Sequence, residues 1–161
     1  MIMLGAYTIS PNRGEGVLTS ISCLIESSGQ QHLLLTLTKI YIMINVLLWN
    51  IRGMARAPNF RRLRKLVRLH DVKFLAISEP KQPICNVDHI HMRLSFDSVV
   101  VNPSENLWVF FSSPFICSVV SSWAQHITLS IYHPWLSGLL FFSFVHAKCT
   151  MEERRELWHH L

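Results

Sequence analysis

The feature that most constrains this chain is a short run, Ile44–Trp49, apolar except for Asn45 and ended by Asn50. Its β-branched residues and its length suit a buried strand better than a helix. Gly53 then permits a turn, so the run delivers Asn50 to a sheet edge. Pro58 suits a first helical turn, where its missing N–H costs nothing. Phe60, Leu63, Leu66 and Val67 recur at helical spacing, with Arg61, Arg62, Arg64, Lys65 and Arg68 largely on other faces. An amphipathic helix ending near His70 follows. Val72–Ile77 is a second apolar run, closed by Ser78, Glu79 and Pro80. Strand, helix and strand make a βαβ-like unit, or its antiparallel equivalent within a mixed sheet, and the fold class is α/β.

Around this unit the sequence speaks less evenly. Residues 1–43 carry no chemical motif and read as a poorly defined N-terminal extension. Within them Tyr7–Gly16 reads as a turn, Val17–Ile25 as a strand, and His32–Ile42 as either helix or strand. Pro83–Asp97 is polar and reads as irregular around short structured pieces. Leu107–Phe111, Ile116–Val120, Ile127–Tyr132 and Leu139–His146 read as strands, and Glu152–Leu161 as the start of a helix. Ser118, Ser121 and Ser122 belong to no GxSxG elbow, so a serine nucleophile is not expected there.

Half of the 161 residues are apolar, which argues against extensive disorder. The net charge of +5 is concentrated: Arg52, Arg56, Arg61, Arg62, Arg64, Lys65, Arg68 and Lys73 face a single nearby acid, Asp71. Such a cluster is either a solvated helix face or the footprint of a polyanion partner, and the sequence leaves both open. Cys23, Cys85, Cys117 and Cys149 show no zinc or disulfide spacing and are expected in a reducing compartment as small core residues. The apolar stretches at 40–51 and 136–147 fall short of the roughly 20 residues that span a bilayer, so a soluble, intracellular chain is expected.

Two polar residues stand directly after buried strands, Asn50 and Glu79. Strand carboxyl ends are favoured site positions in α/β folds. A carboxylate there can hold a hard cation such as Mg²⁺, and an adjacent asparagine can orient the carboxylate or touch a phosphoryl oxygen. Glu79 before Pro80 also suits a solvent-facing turn, and Asn50 also suits a residue that closes a strand by bonding to nearby backbone.

Leu47-Leu48-Trp49-Asn50-Ile51-Arg52-Gly53 resembles the first motif of the endonuclease/exonuclease/phosphatase (DNase I-like) superfamily, and Phe74-Leu75-Ala76-Ile77-Ser78-Glu79-Pro80-Lys81 resembles its second. Ala147-Lys148-Cys149-Thr150 and Glu153-Arg154-Arg155-Glu156-Leu157-Trp158 follow in the order seen in the N-terminal endonuclease region of plant non-LTR (LINE-type) retrotransposon polyproteins. Phe110–Val120 and Gln125–Thr128 fit the strands between. The resemblance covers residues 44–161. It implies a metal-dependent phosphodiesterase acting on DNA, built as a four-layer α/β sandwich and working in the nucleus.

By that resemblance Glu79 is the metal-binding glutamate, for Mg²⁺ (or Mn²⁺), and Asn50 supports the metal and phosphate site. Arg52 lies nearby. His146 stands where the family usually has a tyrosine beside the scissile phosphate, a replacement that brings a group titrating near neutral pH. The family's later GDxN motif and Asp-His pair have no counterpart here, and Asp88-His89 and His91 come too early to replace them. The expectation is therefore a partial sandwich, truncated after its first half, with little activity unless another chain supplies the remainder. Two other readings stand beside it. One is non-catalytic nucleic-acid binding through Arg52, Arg61, Arg62, Arg64, Lys65 and Arg68, and the other is a truncated gene product without a function.

Overall fold

The computed structural model describes residues 3–7, 16–25, 40–55, 57–136, 138–146, 151–152 and 155, with side chains from Ile44 onward. Its elements are β1 (Met3–Tyr7), β2 (Gly16–Ile25), β3 (Ile40–Asn50), α1 (Ala57–Leu69), β4 (Phe74–Ser78), α2 (Val87–Leu94), β5 (Ser98–Val101), β6 (Leu107–Phe111), β7 (Ile116–Trp123), β8 (His126–Tyr132) and β9 (Leu140–Val145). Two sheets result, one ordered β2-β3-β4-β6-β5 and the other β1-β9-β8-β7.

The crossover through α1 is parallel: Val46 lies opposite Phe74 and Asn50 opposite Ser78. This settles the alternative that the sequence left open. β6 then runs antiparallel to β4, and β5 antiparallel to β6, so the larger sheet is mixed.

The apolar runs reflect burial on both faces of this sheet. Alternation sends Val46, Leu48, Phe74, Ala76, Leu107 and Val109 into a core shared with Ile127, Leu129, Phe142 and Phe144 of the second sheet. The intervening residues, Leu47, Trp49, Leu75, Ile77, Trp108 and Phe110, meet Phe60, Leu63 and Val67 of α1 and Ile90 and Leu94 of α2. Helices, larger sheet and smaller sheet therefore form successive layers. Asn45, the polar exception in its run, has a local use: its Nδ2 donates to the His70 carbonyl, 2.7 Å away, just past the end of α1. That helix ends in a Schellman arrangement, with Asp71 left-handed at φ 45° and the Val72 N–H donating to the Val67 carbonyl.

Residues 1–43 contribute β1, parallel to β9, and β2, antiparallel to β3. Strand β2 covers the Val17–Ile25 expectation, while most of Tyr7–Gly16 and of His32–Ile42 lies outside the described residues. So does most of Glu152–Leu161, of which Glu152 and Arg155 are helical.

Between Pro83 and Asp97 the chain is more regular than its composition suggests. A 3₁₀ turn at Ile84–Asn86 leads into α2, which stops at Ser95 in the left-handed region (φ 64°). Only Ile90 and Leu94 of this short helix are buried, too few to show as a period in the sequence. The cysteine expectation needs correcting at Cys85, which is exposed on the 3₁₀ turn. Cys117 is half-buried against the core, and that burial pushes its thiol up to about 12. The Cys23 and Cys149 side chains lie outside the described residues. No helix among the described residues is long and apolar enough to cross a membrane.

Phe74 joins the sheets, with its ring edge-on to Phe115 at 5.1 Å and to Phe142 at 5.4 Å, and stacked on Phe111 at 6.2 Å. Phe74→Ala is expected to destabilise the fold by about 3–5 kcal/mol. Ile116→Ala, on the exposed edge strand, should change stability by no more than about 0.5 kcal/mol. Denaturant titration of both variants checks the contrast.

Candidate functional site

The parallel register of β3 and β4 brings their carboxyl ends side by side, and the backbone pairing continues past both strands. The Ile51 N–H donates to the Ser78 carbonyl (3.1 Å), Gly53 to Glu79 (2.9 Å) and Met54 to Pro80 (2.8 Å). To follow each other this closely, both loops use left-handed backbone: Arg52 (φ 46°), Glu79 (φ 52°) and Lys81 (φ 49°) are not glycines, and Gly53 sits at φ 107°. A left-handed residue other than glycine costs roughly 1–2 kcal/mol, and strain of this kind collects at functional positions.

Within this frame Asn50 and Glu79 touch. The Asn50 Nδ2 donates to Glu79 Oε1 at 2.9 Å, and Asn50 Oδ1 accepts the Arg52 backbone N–H at 3.3 Å. The two bonds fix the amide orientation, because the flipped amide would set oxygen against oxygen and N–H against N–H. Asn50 thus does what an asparagine at a strand end often does, bonding to backbone two residues on, while its other end holds the carboxylate. The Glu79 backbone is held in turn by its N–H donating to the Asn106 carbonyl at 2.9 Å.

His146, directly after β9, completes the cluster. Its Nε2 lies 4.0 Å from Glu79 Oε1, with the His146 side chain 19 % and the Glu79 side chain 31 % exposed. That separation is too long for a hydrogen bond. Burial lowers the His146 pKa below 6.5 and the Glu79 carboxylate opposes the shift, so burial dominates and the imidazole is neutral at pH 7. The contact is therefore a neutral ring beside a carboxylate, not an ion pair.

Asn102, which the sequence did not single out, ties the cluster together. It is 2 % exposed; its Oδ1 accepts the Leu107 N–H and its Nδ2 reaches the Ala124 carbonyl at 2.8 Å. The next residue, Gln125, accepts the His146 N–H through its carbonyl at 2.8 Å. Asn102 thus clamps the β5–β6 turn, which holds Glu79, to the β7–β8 turn, which holds His146. The only sequence signal was the Asn102-Pro103 pair, a common turn opener.

No family model and no curated protein matches the chain. The chemistry of the site rests on its own geometry.

Among the described residues no group of three or more His, Cys, Asp or Glu is placed to hold a metal ion. The cluster offers one carboxylate, with Oε1 already accepting from Asn50. That donor set suits Mg²⁺ (or Mn²⁺), which keeps several waters and takes one or two carboxylates together with substrate phosphates, and it does not suit an all-protein cage.

The remaining sequence candidates lie elsewhere. Arg52 is exposed beside the cluster and acts on Asn50 through its backbone. Arg61, Arg62, Arg64, Lys65 and Arg68 are exposed along α1, which runs back from the site end of the sheet. Arg62 is turned aside, with its guanidinium 5.5 Å from the centre of the Trp49 ring. Asp88 and His91 face each other at 3.9 Å on α2. Ser121 Oγ lies 3.0 Å from His126 Nε2, but His126 is 1 % exposed and presents no open imidazole to a substrate.

A lowered His146 pKa means that the folded chain binds fewer protons than the unfolded chain around pH 6. The stability it contributes is present above the ordinary value of 6.5 and is lost as pH falls through and below it. His146→Gln is expected to flatten that part of the pH–stability curve. Glu79→Gln should lower the His146 pKa further by removing the charge that opposes burial. NMR titration of the imidazole checks this, and an upward move would contradict it.

Proposed function

We propose that the cluster at the carboxyl ends of β3, β4 and β9 is the metal- and phosphate-facing site of a DNase I-like phosphodiesterase domain that acts on nuclear DNA, of the type carried by LINE-type retrotransposon endonucleases. The observation that carries this reading is the 2.9 Å bond from Asn50 to Glu79. It joins, at one point, the two residues that the motif resemblances mark separately in the sequence. His146, brought in from a distant strand at the position the resemblance assigns to the phosphate contact, supports it further. In this reading the layers of helix, larger sheet and smaller sheet belong to a four-layer α/β sandwich, whose fourth layer covers the outer face of the smaller sheet.

The roles follow from the contacts. Glu79 Oε2, not engaged by Asn50, is the oxygen available to Mg²⁺. The bound ion would supply Lewis-acid polarisation of a phosphoryl oxygen. Asn50 holds the carboxylate in one orientation, with both ends of its amide already committed. His146, neutral at pH 7, presents one ring N–H that can donate to a phosphate oxygen. The backbone hydrogen bonds from Gly53 to Glu79 and from Met54 to Pro80 hold the two loops together against their left-handed strain. Glu79 is the single carboxylate the cluster contributes, so the chain by itself is expected to bind metal and phosphate more readily than it turns substrate over.

Two measurements test this. Millimolar Mg²⁺ should raise the melting temperature of the chain in a concentration-dependent way, and Glu79→Ala should abolish the rise. Nicking of supercoiled plasmid by the purified chain should stay near background. Nicking that survives Glu79→Ala, or a Mg²⁺-induced shift of equal size in that variant, would overturn the assignment.

A further inference from the structure

Arg61, Arg64, Lys65 and Arg68 stand at i, i+3, i+4 and i+7 of α1 and so share one face. All are exposed, and with Leu69 they line an open depression of about 440 Å³. Among the described residues none of the four meets a carboxylate. Like charges at this spacing destabilise a helix, so the arrangement favours an external counter-charge. Arg61 also borders a second cavity, of about 570 Å³, between α1 and α2. The floor of that cavity is the buried Met54, Phe60 and Ile90, and Arg93 sits at its wall with its guanidinium 4.4 Å above the Phe60 ring. Met54 is the residue whose N–H bonds to the Pro80 carbonyl, and Gln82 also lines the cavity, so this groove begins at the loop that follows β4.

We propose that Arg93, Arg61, Arg64, Lys65 and Arg68 form a track for the phosphodiester backbone of a nucleic acid, leading from the strand ends down the outer face of α1. It adds Arg93, from a helix the sequence did not reveal, and it leaves out Arg62, which lies off the face that Arg61, Arg64, Lys65 and Arg68 share. Residues i and i+4 are separated by a rise of about 6 Å, so the cations recur along the helix rather than converging on one point, as suits a linear polyanion. An anionic membrane fits less well. A helix lying on a bilayer inserts its apolar face, whereas the apolar face of α1 (Phe60, Leu63 and Val67) is buried against the sheet. The track rests on charge and placement alone and stands whether or not Glu79 binds a metal.

The test is fluorescence anisotropy with labelled oligonucleotides, single-stranded and duplex, in EDTA so that no divalent ion at Glu79 contributes. Affinity should fall with salt between about 50 and 200 mM, with a log–log slope of roughly −3 to −4 if most of the five cations engage. Arg64→Gln/Lys65→Gln should reduce the magnitude of that slope by about 1.5 to 2, and Arg93→Gln by about 1. These side chains are exposed, and circular dichroism confirms that the helices persist. Lys73→Gln, whose ammonium is already paired with Asp71 at 2.8 Å, should leave the slope unchanged. An unchanged slope in the double variant, no oligonucleotide binding, or binding to phosphatidylserine vesicles in preference to oligonucleotides would overturn the proposal.

Discussion

The parallel pairing of β3 with β4 is the constraint on which the rest of the structure depends. It sets Asn50 opposite Ser78 and carries the backbone hydrogen bonding beyond both strands, to Gly53 and Met54 on one side and Glu79 and Pro80 on the other. A slip of one residue would move every apolar side chain to the opposite face of the sheet. It would also separate Asn50 from Glu79. The same pairing requires a crossover, and α1 meets that need by starting at the site end and burying Phe60, Leu63 and Val67 on the sheet.

Two-sided burial links this pairing to the cluster. Because the larger sheet is covered by helices on one face and by the second sheet on the other, its strands cannot shift without disturbing two cores. At the site end polar contacts add to the apolar core that the two sheets share. Asn102 spans from the β5–β6 turn to the β7–β8 turn, and each turn holds one side of the cluster through a backbone hydrogen bond. His146 is carried to Glu79 by the position of the whole second sheet, so the geometry at Glu79 depends on how the sheets pack.

Legibility in the sequence followed how local each cause was. The β3–α1–β4 unit could be read because apolar runs, a proline near the helix start and a helical period all lie within a few dozen residues. Asn50 and Glu79 could be placed at strand ends for the same reason. Their direct contact could not, because it depends on a register between strands separated by a helix. Helix α2 escaped notice with only Ile90 and Leu94 buried, and so did the groove it forms with α1. Asn102 could be read as a turn opener but not as a clamp, because Trp123 and Ala124, whose carbonyls it reaches, lie some twenty residues away along the chain. The basic cluster was visible as composition, but its division into a stripe of four and an Arg62 turned to Trp49 is a matter of helix faces and packing.

The cluster at Glu79 is small, asymmetric and strained, with a carboxylate whose partners fix its direction. Its assignment as a cation and phosphate site can be tested at the atoms concerned, through paramagnetic broadening by Mn²⁺ of the NMR signals of the Asn50 side-chain amide and the His146 ring. At low Mn²⁺ these two should broaden before other signals in the chain, and Glu79→Gln should remove the effect. Broadening centred on Asp88 and His91 instead, or persisting unchanged in Glu79→Gln, would contradict the assignment.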